Sequence, residues 1–353
     1  MNITIKVNGK EITKDVKIDE SLLHFLRNEG LFGTKFGGCK LGECGACTVL
    51  LDGEPINSCT FLAIRTNGHS VQTIESIGEN PEKGWKKTKG LSDLQKAFVE
   101  SGSIQCGYCT PAMILASTSL LKNYQEPSDE QIRDAISGIL CRCTGYDKPV
   151  KAIKSVFTKG GKESFSPLIE SDIETKFTSI GKKSNKVDAI KLVQGKPAFT
   201  DDVKIEGMLI AKVLHSPLAH AEILDIDTHE AKQIPGVHAV LTWKDLPRVV
   251  YSTAGQSDPI PGPLDMFSLD KKVRFVGDRV AFVAAETEEI ADKAIKAIKV
   301  KYKELTPLFD SSKSMSEGAP ILHDEPEYVN FADSDPKMNL AAKIRIDIGD
   351  VEK

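Results

Sequence analysis

A chain of 353 residues has room for two or three domains, and its 40% hydrophobic and 27% charged content is that of a folded globular protein, not a disordered or bilayer-embedded one. A formal net charge of -4 offers no strongly basic face, which argues against nucleic acid as a partner. The N-terminus alternates without the apolar centre of a signal peptide, and no apolar run is long enough to span a bilayer, so a cytoplasmic protein with reduced thiols and no membrane partner is expected.

Taken in order, Ile3, Ile5 and Val7 alternate with polar residues, and Asn8-Gly9 is a hairpin signal leading to a second strand at 12–16. Residues 21–29, with Leu22, Leu23, Phe25 and Leu26, predict a short amphipathic helix ended by Gly30. Thr48-Val49-Leu50-Leu51 reads as a strand turned by Asp52-Gly53. A polar connector at 78–90 follows. Four helical segments come next. Ser92 with Gln95 is a capping box, and Thr110-Pro111 is an N-cap followed by proline. Ser128 with Gln131 is a second box opening a helix to Leu140, and Asp147 caps a last helix carrying Val150, Ile153 and Val156. Residues 159–186 have little periodicity and read as a linker. From 187 to 353 the character is α+β: buried strands at 208–214 and 280–285, and a helix capped by Thr287 through Ile290, Ala291, Ala294 and Ile298. The predicted fold is α+β and multidomain, with a β-grasp, ferredoxin-like domain at 1–78, a four-helix domain at 79–158, the linker, and an α+β domain at 187–353.

All eight cysteines lie between Cys39 and Cys143. In a reducing compartment this concentration points to metal ligation. Cys39, Cys44 and Cys47, with Cys59 further on, follow the C-x4-C-x2-C spacing that holds a plant-type [2Fe-2S] cluster. Gly37, Gly38, Gly42 and Gly45 let the backbone come close to such a group. Cys106 and Cys109, then Cys141 and Cys143, form a second set at predicted helix ends, C-x2-C followed by C-x-C. A four-cysteine zinc site competes there, although C-x-C is a less usual zinc pair and the neighbouring loop favours iron. A thioredoxin-like role needs a βαβ context that is missing, and a Rieske centre needs histidine ligands beside the cysteines. Thiolates alone supply no acid or base, so no catalytic residue is assigned.

Three strings carry a resemblance: Gly42-Glu43-Cys44-Gly45-Ala46-Cys47-Thr48-Val49, Gln105-Cys106-Gly107-Tyr108-Cys109-Thr110-Pro111 and Cys141-Arg142-Cys143-Thr144-Gly145-Tyr146. They resemble signatures of the xanthine dehydrogenase/aldehyde oxidase family of molybdenum hydroxylases. Residues 195–202, 215–221 and 276–281 are similar to the a/b hammerhead domain that opens the family's molybdenum-binding portion. The resemblance implies two [2Fe-2S] clusters, and a molybdopterin, in its cytosine dinucleotide form, bound mainly by a partner chain. It places Gln105 and Cys143 beside the pterin as cofactor-binding residues. It also implies an electron-transfer subunit or fragment that relays electrons from the molybdopterin-binding subunit to a separate FAD subunit or another acceptor, in a hetero-oligomer. The competing reading is a zinc-stabilised binding or scaffold protein.

Overall fold

A computed structural model of the chain describes residues 1–36, 38–78, 90–158, 185–253, 263–331, 333–343, 345–346 and 348–350. It divides into two compact units, Met1–Val203 and Lys204–Lys353. The polar connector and nearly all of the predicted linker lie outside the described residues.

The first unit opens with the expected hairpin, β1 (Asn2–Val7) and β2 (Lys10–Asp15), antiparallel and turned by Asn8 and Gly9, both at positive φ. Helix α1 (Leu22–Asn28) is capped by Ser21, whose hydroxyl accepts from the His24 N–H. Strands β3 (Thr48–Leu51) and β4 (Glu54–Asn57) make a second hairpin. A three-residue strand, β5 (Ser70–Gln72), joins the two. The sheet order is β2-β1-β5-β3-β4, parallel only between β1 and β5. Ile3, Ile5 and Val7 bury one face of β1 against Leu22, Phe25, Leu26, Val49 and Val71, which is the β-grasp arrangement. β5 escaped sequence analysis because three residues are too few to show alternation.

Four helices follow: α2 (Asp93–Glu100), α3 (Thr110–Asn123), α4 (Asp129–Ser137) and α5 (Asp147–Ser155). Both capping boxes form, Ser92 with Gln95 and Ser128 with Gln131, each with both hydrogen bonds made. Two predicted caps are displaced by one residue. Cys109, not Thr110, is the N-cap of α3, and Tyr146, not Asp147, precedes α5 in the left-handed region at φ 67°. α4 stops at Ser137, short of the predicted Leu140, and the released residues reach back toward the first cysteine loop. Phe98, Met113, Ile114, Leu115, Ile132 and Ile153 form the core of this bundle, and Leu50, Ile74 and Ile77 join it from the β-grasp side.

A short helix, α6 (Ala189–Val193), adds Ala189, Leu192 and Val193 to the same core. Sequence analysis starts the third domain at 187, whereas the first compact unit continues to Val203. Five residues, three of them buried, are too short a run to announce a helix in the sequence.

The second unit contains β6 (Ile210–His215), β7 (Ala221–Asp227), α7 (His229–Lys232), β8 (Val237–Thr242), β9 (Lys272–Val273), β10 (Arg279–Ala285), α8 (Glu288–Ala297) and β11 (Lys299–Glu304). Two three-stranded sheets result, β6-β10-β8 and β11-β7-β9, all pairs antiparallel. The predicted strands appear as β6 and β10, paired with each other, and Thr287 caps α8 by accepting from the Ile290 N–H. Val240, Val280, Ala281, Val283, Ala291 and Ala294 form its core. No helix of the described residues is long and apolar enough to cross a membrane.

Candidate metal centres

Three cysteines of the first centre lie on the loop between α1 and β3, and the fourth, Cys59, follows β4. Lys40, Gly42 and Gly45 sit at positive φ and curl the chain around Cys39. The backbone N–H groups of Leu41, Glu43 and Cys44 donate to Cys39 Sγ at 3.3, 3.2 and 3.3 Å. These donors, Leu41 first and then Cys44, pull the Cys39 thiol down to about 7. Such a nest of N–H groups favours a thiolate over a thiol. Gly38 serves by its small size: a Cβ there would overlap Cys44 Sγ. Gly37 lies outside the described residues.

The Cys44 side chain adds to the lowering of Cys39, and the Cys59 side chain to the raising of Cys47. Cys47 is buried, and burial pushes its thiol up to about 12 against the Cys59 N–H that donates to it. Ser58, wholly buried, ties this end of the loop by donating to the Cys47 carbonyl at 2.7 Å.

The second centre collects Cys106 and Cys109 from the turn before α3, and Cys141 and Cys143 from the turn after α4. The four sulfurs influence one another: Cys143 and Cys141 both act on Cys106, and Cys141 and Cys106 both act on Cys109. Cys109 is buried at the N-terminus of α3, and burial pushes its thiol far above the usual range, with the Cys141 and Cys106 sulfurs adding to the effect. Cys141 goes the other way: burial opposes ionisation, but the Thr144 hydroxyl at 3.2 Å and the Thr144 N–H outweigh it. Cys106 and Cys143 are exposed, as is Gln105.

Tyr146 had no role in the sequence reading. Its phenol accepts from the Cys141 N–H at 2.9 Å and donates to the Ile139 carbonyl at 3.0 Å, clasping the turn that carries Cys141. A bulky residue in the left-handed region is strained, and the clasp accounts for that strain. The signal was present, since the tyrosine follows the C-x-C pair by three residues, but nothing in a sequence says that a phenol folds back.

The two centres share a seam. The Leu140 N–H donates to the Cys44 carbonyl at 2.9 Å, and a Cβ on Gly45 would run into the Gly138 carbonyl. The early end of α4 therefore has a purpose: it lets residues 138–140 dock on the first loop.

These donor sets fit iron-sulfur groups. The ligand chemistry is thiolate only, the backbone leaves no room for side chains at Gly38, and N–H donors aim at sulfur.

Comparison with known proteins agrees. Residues 5–68 match the model of the 2Fe-2S iron-sulfur cluster binding domain, and residues 73–154 that of the [2Fe-2S] binding domain. Residues 194–306 match the a/b hammerhead domain of aldehyde oxidase and xanthine dehydrogenase. The chain is thus an iron-sulfur protein with two [2Fe-2S] domains joined to a hammerhead domain. It is 41% identical over 155 residues to the xanthine dehydrogenase iron-sulfur-binding subunit of Escherichia coli O157:H7, covering 43% of this chain and 92% of that one. Along its whole length it is 34% identical to the probable hypoxanthine oxidase XdhD of Escherichia coli K12, of which it spans 39%. Among solved structures, aldehyde oxidoreductase from Desulfovibrio gigas superposes with a TM-score of 0.74 at 32% identity, over 92% of this chain and 36% of the other. The chain belongs to the xanthine dehydrogenase/aldehyde oxidase family of molybdenum hydroxylases, whose members are oxidoreductases, and it spans about two-fifths of the length of the relatives it matches from end to end.

Proposed function

We propose that this chain is the electron-relay portion of a molybdenum hydroxylase, with Cys39, Cys44, Cys47 and Cys59 holding one [2Fe-2S] cluster and Cys106, Cys109, Cys141 and Cys143 the other. The observation that carries this reading is the set of Leu41, Glu43 and Cys44 N–H groups aimed at Cys39 Sγ, with Gly38 pressed so close to Cys44 Sγ that no side chain fits. Backbone N–H groups directed at sulfur, in a glycine-rich loop that comes close to it, suit an iron-sulfur cluster, whose potential is set by such hydrogen bonds. The match to two [2Fe-2S] domain models weighs against the zinc-scaffold reading.

When bound, each cluster supplies a one-electron store. The chain's part is to hold it, to stabilise negative sulfur with the N–H groups around Cys39, and to keep the centres at a fixed separation through the seam at Leu140 and Gly45. In this reading a molybdopterin, in its cytosine dinucleotide form, is held mainly by a partner polypeptide that hydroxylates a heterocycle or an aldehyde. Relatives described as hypoxanthine oxidase and aldehyde oxidoreductase support that class. Gln105 and Cys143, both exposed, would contact that pterin, and an FAD subunit or other acceptor would take the electrons in a cytoplasmic hetero-oligomer. The domains follow as 1–78, 79–158 and 187–353.

Metal and sulfide analysis of the anaerobically purified chain tests this. Iron with an equal amount of acid-labile sulfide is expected. Zinc without sulfide would replace this reading with the scaffold one.

A further inference from the structure

We propose that residues 189–202 are a strap that sets the position and solvent cover of the Cys106–Cys109 loop, with Phe199 as the positioning residue for the second cluster. The inference rests on the reading of Cys106, Cys109, Cys141 and Cys143 as ligands, and concerns residues outside that ligand set.

The loop is exposed at Cys106, buried at Gly107 and half-buried at Tyr108. The strap provides the cover. Leu192, 2% exposed, lies on Gly107 so closely that a Cβ there would come within 2.5 Å of Leu192 Cδ1. Gly107 is at φ +82°, so the loop has no easy alternative shape. The Phe199 ring meets the Tyr108 ring edge to face, centroids 5.2 Å apart. The Lys35 ammonium stands 4.7 Å from the Phe199 centroid. Phe199 therefore touches both a buried cation of the β-grasp and the loop of the helical domain.

Both ends of the strap are anchored. The Gln95 amide, fully buried in α2, donates to the Val193 carbonyl at 2.7 Å. Asp202 accepts from the Ala198 and Phe199 N–H groups at 3.0 and 3.2 Å, from Arg27 at 3.1 Å and from Lys35 at 3.4 Å. Gly195 rests on Ile74 and Glu75, where a side chain would collide. A segment fastened to both domains and pressed on one ligand loop controls how much water and how much charge that loop meets. Iron-sulfur potentials depend on both.

The test is an EPR-monitored redox titration of the anaerobically purified full chain, wild type against Phe199→Ala, with the second cluster's signal assigned as the one that Cys106→Ser removes. Opening the loop to water favours the more negatively charged reduced form. The reduced-to-oxidised ratio of the second cluster at fixed potential should rise about tenfold, a shift of about 59 mV for one electron. The first cluster should titrate as before, and Phe199→Tyr, which restores the ring, should return the wild-type value. If neither cluster moves, or both move together, the strap has no specific hold on the loop and the proposal fails. Should the alanine chain not fold, Phe199→Leu is measured instead. A smaller shift confined to the second cluster supports the proposal, and an unchanged titration overturns it. Absence of the second signal from the wild-type chain sinks the ligand assignment, a different failure.

Discussion

Asp202 shows how much one side chain can hold in the first unit. Its carboxylate and the Lys35 side chain are each 2% exposed, and Arg27 is 6% exposed. Replacing Asp202 by Asn leaves two cations buried without their anion and should cost about 3–5 kcal/mol, seen as a lowered denaturant midpoint. Burial opposes ionisation of Asp202, but the Ala198 N–H, the Lys35 charge and the Phe199 N–H together hold it below the usual 3.8. A depressed acid adds stability above its unfolded value and loses it as pH falls through its folded value. Wild-type stability should therefore drop in acid below about pH 4, with a smaller drop in Asp202→Asn. Tyr146→Phe should cost about 1–3 kcal/mol by leaving the Cys141 N–H and the Ile139 carbonyl without their shared partner. Thermal unfolding checks the cost, and a second-cluster signal weakened relative to the first would tie the clasp to the Cys141 turn. The cysteines were legible because spacing is a property of the chain. Tyr146 and Asp202 were not, because their partners are fixed only by the fold, and Asp202 lies 175 residues from Arg27.

Among the elements, those with local signals read best from sequence. Ser92 and Ser128 each precede glutamine by three residues, and both boxes form as expected. Ser128→Ala should lower stability by about 0.5–2 kcal/mol, readable as a shift in urea midpoint. Where tertiary demands intervene, the local reading fails by one to three residues. α4 ends before Leu140 because its tail docks on Cys44, and α5 starts after a strained Tyr146 because the phenol must reach the Cys141 turn. β5 and α6 were missed altogether. The first has three residues and the second five, and each is held by pairing or packing with segments distant in sequence.

Across the whole chain, the sequence separates the functions more clearly than the domains. Eight cysteines confined to 39–143 mark where the redox chemistry belongs, yet the compact unit around them extends to Val203. The additional stretch carries the anchors of the strap, so part of the iron-sulfur unit is built from residues that the hammerhead family model also covers. The central claim is that this chain holds two separate one-electron centres, each on its own set of four cysteines. EPR of the reduced full chain, compared with its Cys106→Ser variant, tests it most directly. Two distinguishable [2Fe-2S] signals are predicted, with one lost and the other retained in the variant. A single signal in the wild type, or loss of both in a folded variant, would contradict it.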